Sequence, residues 1–206
     1  RMWREGADIA EQSSDDIWSA VCAATREAVA GIDPARVAGI GFDATCSLVV
    51  IGDNDVPLAV GPSDDPDRNI IVWMDHRATA QAEKINATGH PVLQYVGGKI
   101  SPEMETPKIL WLKENRPHIY QQASHFFDLA DYLTWRSTGD DARSVCTVTC
   151  KWTYLAHEQR WDAGYFRQIG LEELADADFV RVGQLIVEPG TPCGDGLCAT
   201  AAEEMG

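Results

Sequence analysis

The sequence predicts an α/β fold, because apolar segments typical of buried strands alternate along the chain with segments of helical spacing. The clearest strand covers residues 46–51, and the clearest helix begins at the polar residues 13–16. Several predicted strands end in polar side chains. Since ligands of α/β sheets bind at strand ends, these side chains are also the first candidates for a functional site.

The predicted elements follow one another without an internal repeat or a linker. Ser13 and Asp16 form a capping pair for the first helix, which ends at Gly31. Further strands are predicted at residues 37–42, 56–60, 69–74 and 125–129. Further helices are predicted from just after residues 75–77 to about residue 86, and at residues 107–114, 131–136, 161–169, 171–175 and 199–205. Consecutive strands between residues 37 and 60 favour antiparallel neighbours, so we predict a mixed sheet flanked by helices.

Composition limits the class of ligand. The 206 residues carry a formal net charge of -15, with 17 basic and 32 acidic side chains. Such a surface repels nucleic-acid phosphates and anionic lipids, so neither nucleic acid nor membrane is an expected partner. No apolar run approaches the roughly 20 residues of a membrane span, and the first residues lack a signal-peptide pattern. A neutral ligand is compatible with this charge.

The six cysteines favour dispersed free thiols over a zinc site. Cys146 and Cys150 are spaced C-x3-C, and Cys193 and Cys198 are spaced C-x4-C, whereas structural zinc sites usually show tighter knuckles. Zinc binding stays a minor alternative. Reduced thiols without an export signal indicate a cytoplasmic protein.

The first candidate site lies between two predicted strands, at residues 43–47. Cys46 is small enough to let a ligand approach the backbone, and the hydroxyl of Ser47 offers hydrogen bonds to ligand hydroxyls. A solvated hairpin whose polar side chains only satisfy the turn is the alternative interpretation.

Asp75, His76 and Glu103 form the next candidates, each close to a predicted helix start. Asp75 and His76 could hold polyol hydroxyls or shape the loop that does, while the carboxylate of Glu103 could accept two hydrogen bonds from vicinal hydroxyls. Two structural alternatives stay open. Asp75 could cap the following helix, and Glu103 could be favoured there by the helix dipole alone. Arg77 is interpreted as an ion-pair partner.

Lys151 is the last candidate, within residues 147–152. A lysine among β-branched and aromatic residues either extends its ammonium group from a sheet edge to water or turns it into a pocket. The residues themselves favour the edge.

These segments together resemble the FGGY carbohydrate kinases, most closely their ribulokinase-like branch. The resemblance is carried, in the family's order, by residues 40–47, 72–78, 99–111, 128–139 and 151–152. It implies an actin-like, ribonuclease-H-like fold with sugar bound in a cleft. It also implies ATP and Mg²⁺ as cofactors, and transfer of the γ-phosphoryl group to a terminal hydroxyl of a ketopentose such as ribulose or of a related polyol.

The resemblance also implies roles for the candidate residues. Cys46 and Ser47 match loop positions that contact sugar in the family. Glycerol kinases have an Arg-Glu pair at these positions, whereas the small pair here resembles the ketopentose enzymes. Glu103 and Lys151 match a substrate-contacting acid and lysine of ribulokinases. Asp75 and His76 match a W-x-D-H segment that shapes the loop or lies near the substrate. The six predicted substrate-binding residues are Cys46, Ser47, Asp75, His76, Glu103 and Lys151.

Two features of the family have no counterpart in residues 1–206: its acidic D-x-G-T-x-S-type hairpin and its catalytic Asp. Asp195 lies in a glycine-rich turn and does not match that Asp. We therefore expect residues 1–206 to be an N-terminal sugar-binding domain without its first hairpin and without the C-terminal ATP-binding lobe, inactive alone. Association of two copies into a homodimer stays open. The alternative function is a non-catalytic sugar-sensing or scaffold module of the same fold.

Overall fold

A five-stranded antiparallel sheet lies at the centre of the molecule, with the strand order β1-β2-β4-β3-β5. Its strands are β1 Met2–Glu5, β2 Ile9–Gln12, β3 Leu48–Gly52, β4 Ile70–Ile71 and β5 Ala123–Asp128. A separate parallel pair joins β6 Arg143–Ser144 to β7 Ile186–Val187. This computed structural model describes every residue from Arg1 to Gly206.

Nine helices surround the strands. They are α1 Ser14–Ala28, α2 Thr79–Ala87, α3 Glu105–Asn115, α4 Pro117–Gln122, α5 Leu129–Thr138, α6 Val145–Trp152, α7 Ala163–Ile169, α8 Glu172–Asp176 and α9 Ala199–Met205. All five residues of β3 are buried, because successive side chains of a strand point to opposite faces and both faces are covered.

Each face of the sheet has its own hydrophobic core. Leu48 and Val50 belong to a cluster of 30 buried residues that includes side chains from α2, α3, α6, α7 and α8. Val49 and Ile51 belong to a cluster of 11, together with side chains from α1, α5 and α9. Helices on both sides of a sheet define the α/β class, which confirms the predicted fold. Antiparallel and parallel pairings both occur, but in separate sheets.

Two helix boundaries that depend on local chemistry are confirmed, the start of α1 at Ser13 and the end of α5 at Gly139, whereas α1 ends at Ala28, before the predicted Gly31, and α5 begins at Leu129, before the predicted residue 131. Ser13 caps α1, and its hydroxyl accepts a hydrogen bond from the Asp16 N–H at 3.2 Å. Asp128 caps α5, which ends at Gly139 with a positive φ of 76°. Short-range signals therefore place these two boundaries correctly.

The predicted strand at residues 37–42 is wrong. These residues carry no strand pairing, and residues 37–41 are exposed, with 45% of Ile40 open to solvent, while Phe42 is half-buried against the smaller core. Their apolar character predicted burial, but no strand of this chain lies beside them to complete a ladder. Residues 56–60 do return beside β3, yet only through an isolated bridge between Ile51 and Pro57, because proline has no N–H to extend the ladder.

Candidate functional site

Three chain segments meet at one edge of the central sheet. Leu48, the first residue of β3, pairs with Ile71 at the end of β4 and with Asp128 at the end of β5. Antiparallel neighbours place the start of one strand beside the ends of the next. The loop that contains Cys46 and Ser47 therefore lies between the segments that follow β4 and β5.

Ser47 holds two of these segments together. Its side chain is fully buried, and its hydroxyl accepts a hydrogen bond from the backbone N–H of Trp73 at 3.0 Å. The contact brings the predicted loop next to the segment that carries Asp75 and His76, which rules out a simple solvated hairpin.

Asp75 is fully buried, and its carboxylate is occupied by protein donors. Oδ2 accepts from the Ala10 N–H at 2.7 Å, and Oδ1 accepts from the Arg77 N–H and Nε–H at 2.9 Å each. Arg77 also donates to Glu11 at 2.7 Å. Asp75 does not cap α2, whose N-cap is Ala78 without a side-chain bond. The geometry gives Asp75 the loop-shaping role and leaves no free oxygen for direct sugar contact. Arg77 is an ion-pair partner, as its sequence context indicated.

His76 and Glu103 lie on the accessible rim of the same region. His76 Nε2 is 3.1 Å from Glu103 Oε1, and the side chains are 50% and 31% exposed. The backbone N–H of Glu103 is held by Ser101 Oγ at 3.2 Å. This pair connects the loop after β4 to the start of α3 and still presents polar atoms to a ligand.

Lys151 lies in the last turn of α6, not at a sheet edge. Its β-branched neighbours favoured a strand, but Ser144 starts a helix by accepting from the Cys146 N–H at 3.2 Å. Burial raises the pKa of the Cys46 thiol to about 12, and the charge of Lys151 opposes that rise. Lys151 likewise lowers the pKa of Glu105, so its ammonium group lies within electrostatic range of both residues.

Two buried acids of this region were missed by the sequence analysis. Glu105, at the start of α3, accepts from Lys108 Nζ at 3.3 Å, and both side chains are fully buried. Asp128, at the end of β5, is 1% exposed. Asp128 did satisfy the criterion of a polar residue at a strand end, and Glu105 lay in the same motif as Glu103. Neither pattern distinguished a buried acid from a solvated one.

Burial raises the pKa of both acids. The pKa of Glu105 reaches about 8, with the nearby charge of Lys108 opposing the rise. The pKa of Asp128 reaches about 7 through burial and the neighbouring charge of Asp131. Each acid raises the pKa of Cys46, so the three groups share one electrostatic environment.

Stability should therefore depend on pH through Glu105. Between its ordinary pKa of 4.5 and its folded value of about 8, the folded chain holds a proton that the unfolded chain has released. This contribution to the free energy of unfolding falls as pH rises through that window. In Glu105→Gln the contribution is absent, so urea unfolding at a series of pH values should show the variant gaining stability relative to wild type with rising pH. Parallel pH curves for the two proteins would contradict the assignment.

Of the six predicted residues, Ser47 bonds to the loop after β4 and His76 contacts Glu103, while Cys46 and Lys151 are linked by electrostatics alone, so the six are not equivalent. Accessible or half-buried polar groups remain on His76, Glu103, Cys46 and Lys151. Both carboxylate oxygens of Asp75, by contrast, accept hydrogen bonds from protein groups. Two surface grooves lie elsewhere, near the C-terminal end of α5 and the start of α9. Neither is lined by a predicted site residue. No group of three or more His, Cys, Asp or Glu side chains could hold a metal ion, and all six cysteines are free.

Solved structures place this fold among the sugar kinases. A gluconate kinase from Lactobacillus acidophilus superposes with a TM-score of 0.78 at 18% sequence identity, covering 100% of this chain and 39% of that one. A xylulose kinase from the same organism gives 0.77 at 18% identity, with the same coverage. These likenesses confirm the actin-like fold of the sugar kinases.

Residues 2–180 match the family described as the FGGY family of carbohydrate kinases, N-terminal domain, and the chain belongs to that family. An FGGY carbohydrate kinase domain-containing protein of Homo sapiens is 48% identical over 207 residues, covering 100% of this chain and 37% of that protein. A D-ribulokinase of Saccharomyces cerevisiae is 49% identical over 181 residues, covering 84% of this chain and 25% of that protein. The chain thus spans well under half the length of these relatives.

No helix has the length and apolar character needed to cross a membrane.

Proposed function

We propose that the full-length protein phosphorylates a ketopentose, specifically ribulose, at a terminal hydroxyl, and that residues 1–206 supply much of the sugar-binding side. The observation that carries the proposal is the contact of His76 Nε2 with Glu103 Oε1 at 3.1 Å. Both side chains are partly exposed, and they lie near the sheet edge that also holds Cys46 and Ser47. The names of the relatives support the choice of sugar, since a D-ribulokinase and bacterial ribulokinases are among them.

The side chains at this edge have the chemistry that a sugar requires. The Glu103 carboxylate accepts hydrogen bonds from hydroxyl groups, and the ammonium group of Lys151 donates to a hydroxyl or carbonyl oxygen. Cys46 and Ser47 are small, so the loop leaves space for a five-carbon chain. Binding of this kind fixes the position of the reacting hydroxyl, which is the main requirement of phosphoryl transfer.

ATP with Mg²⁺ is the proposed phosphoryl donor of the full-length protein. We assign no Mg²⁺ ligand and no catalytic base to residues 1–206, because no residue of this chain matches the acidic hairpin or the catalytic Asp of the family. On this proposal the isolated chain binds sugar without turnover, and the protein works in the cytoplasm. Whether two copies associate is tested by measuring the mass of the protein in solution.

The test is an ADP-release assay with the full-length protein and a panel of ribulose, xylulose, ribitol, arabinitol and glycerol. We expect ribulose to give the highest kcat/KM, with glycerol the poorest substrate because the small Cys46–Ser47 loop suits a longer chain. Reactions without sugar report background ATP hydrolysis. Absence of turnover with every sugar would contradict the proposal, and calorimetric binding of sugar without ATP binding would identify a sensor instead.

A further inference from the structure

Three buried polar atoms beneath the candidate site have no hydrogen-bond partner. They are Asp128 Oδ2, Glu105 Oε2 and Trp152 Nε1. Their side chains are at most 1% exposed. A buried polar atom without a partner costs about 1–3 kcal/mol, so a group of three calls for something that satisfies them.

The three atoms belong to one cluster. Asp128 and Glu105 both raise the pKa of the Cys46 thiol, and Asp128 also raises the pKa of Glu105. The Cys46 thiol and the Trp152 indole N–H both lower the pKa of Asp128, so both face its carboxyl group. Asp128 Oδ2 and Trp152 Nε1 nevertheless remain unbonded. The indole N–H lies close enough to Asp128 to lower its pKa, so one oxygen atom placed beside both groups can accept from Trp152 Nε1 and donate to Asp128 Oδ2.

The neighbouring acid Asp131 shows the contrast. Its Oδ1 accepts from the Ser144 N–H at 2.9 Å and its Oδ2 from the Thr147 hydroxyl at 2.6 Å, so both oxygens are satisfied within the protein. Asp128 uses only Oδ1, in a long 3.4 Å bond from the Ala130 N–H. Burial alone therefore does not explain the open oxygen of Asp128.

The open cluster lies directly behind the predicted sugar loop. Asp128 pairs with Leu48, two residues beyond Cys46, and Cys46 is only half-buried. Lys151 acts on both Cys46 and Glu105 from α6. A sugar hydroxyl that enters past the Cys46 side chain would donate to a carboxylate oxygen and accept from the Trp152 N–H.

We propose that Asp128, supported by Glu105 and Trp152, binds one secondary hydroxyl of the sugar and thereby determines which pentulose epimer is accepted. This inference rests on the proposed function. A site of this kind is selective because a sugar with the hydroxyl in the other configuration leaves the buried acceptor and donor unpaired. Buried polar groups discriminate more strongly than apolar contacts for that reason.

The experiment measures kcat and KM for ribulose and xylulose, which differ in configuration at one carbon, in the full-length wild-type protein and in Asp128→Asn. We expect KM for the preferred epimer to rise about 10- to 100-fold, the loss of one hydrogen bond to a charged group. The ratio of kcat/KM between the epimers should fall toward one. Unchanged KM and an unchanged ratio would overturn the proposal and identify the bridging oxygen as a water molecule.

Two further variants keep the result interpretable. Trp152→Phe removes the indole N–H together with part of the buried ring, and it should raise KM several-fold in the same direction. This variant replaces Asp128→Asn as the test if Asp128→Asn does not fold. Asp131→Asn should lower thermal stability without raising either KM, because Asp131 bonds only to protein groups and loss of its charge can only lower the pKa of Asp128, which keeps that carboxylate ionised. Wild-type turnover with an unaffected Asp128→Asn would refute this inference alone, whereas no wild-type turnover would refute the proposed function.

Discussion

Replacing Lys151 with methionine in the full-length protein is expected to raise KM for ribulose by about 100-fold, because the variant loses a charged donor to the sugar while keeping the length of the side chain. Lys151 makes no ion pair that holds the fold together, and its charge acts on Cys46 and Glu105 across the candidate site. Sugar binding should therefore suffer far more than folding. Steady-state kinetics together with thermal unfolding measure the two effects separately.

Lys113→Met provides the matched control. Lys113, on α3, also carries a positive charge, but it donates to Gly170 O at the end of α7 at 2.8 Å and to Glu173 on α8 at 2.6 Å. Its loss should lower stability modestly and leave KM unchanged. If Lys151→Met and Lys113→Met affect KM equally, the effect is a change of net charge and Lys151 does not contact the sugar.

Local chemistry in the sequence was sufficient for the parts of the fold that short-range interactions determine. The Ser13 cap of α1 and the end of α5 at Gly139 use hydrogen bonds and backbone angles that a few neighbouring residues define. The α/β class followed from the alternation of segments. The hairpin of β1 and β2 was not predicted, since Arg4, Glu5 and Glu11 give its strands no alternating apolar pattern.

That the six candidate residues bind sugar stays a prediction, and the sequence did not distinguish the surroundings of one candidate from those of another. Glu103 and Asp75 are both acids beside predicted helix starts, yet 31% of the Glu103 side chain is exposed and Asp75 is fully buried. The difference arises from β2, whose Ala10 N–H lies 65 positions away in the chain and binds Asp75. Contacts of that range are decided by tertiary packing, which the residues around Asp75 do not encode.

A buried ion network behind the site should dominate the stability of this chain. Arg77 binds Asp75 at 2.8 Å and Glu11 at 2.7 Å, and both acids are fully buried. Arg68 adds a second contact to Glu11 at 2.7 Å. The packing is tight, because a Cβ on Gly61 would lie only 2.2 Å from Glu11 Oε1. Little water can therefore enter to replace a lost partner.

Arg77→Met should accordingly destabilise residues 1–206 by about 3–5 kcal/mol, since it leaves two buried carboxylates without their shared cation. Urea unfolding followed by circular dichroism measures this loss. Arg167→Met is the control, because its pair with Asp176 is more than half exposed on both sides and should contribute at most about 1 kcal/mol.

Adding Asp75→Asn to Arg77→Met should recover part of the loss by removing one uncompensated charge. If the double variant is less stable than Arg77→Met, packing of the Arg77 side chain, including its contact with the Trp111 ring at 5.0 Å, outweighs the charge network.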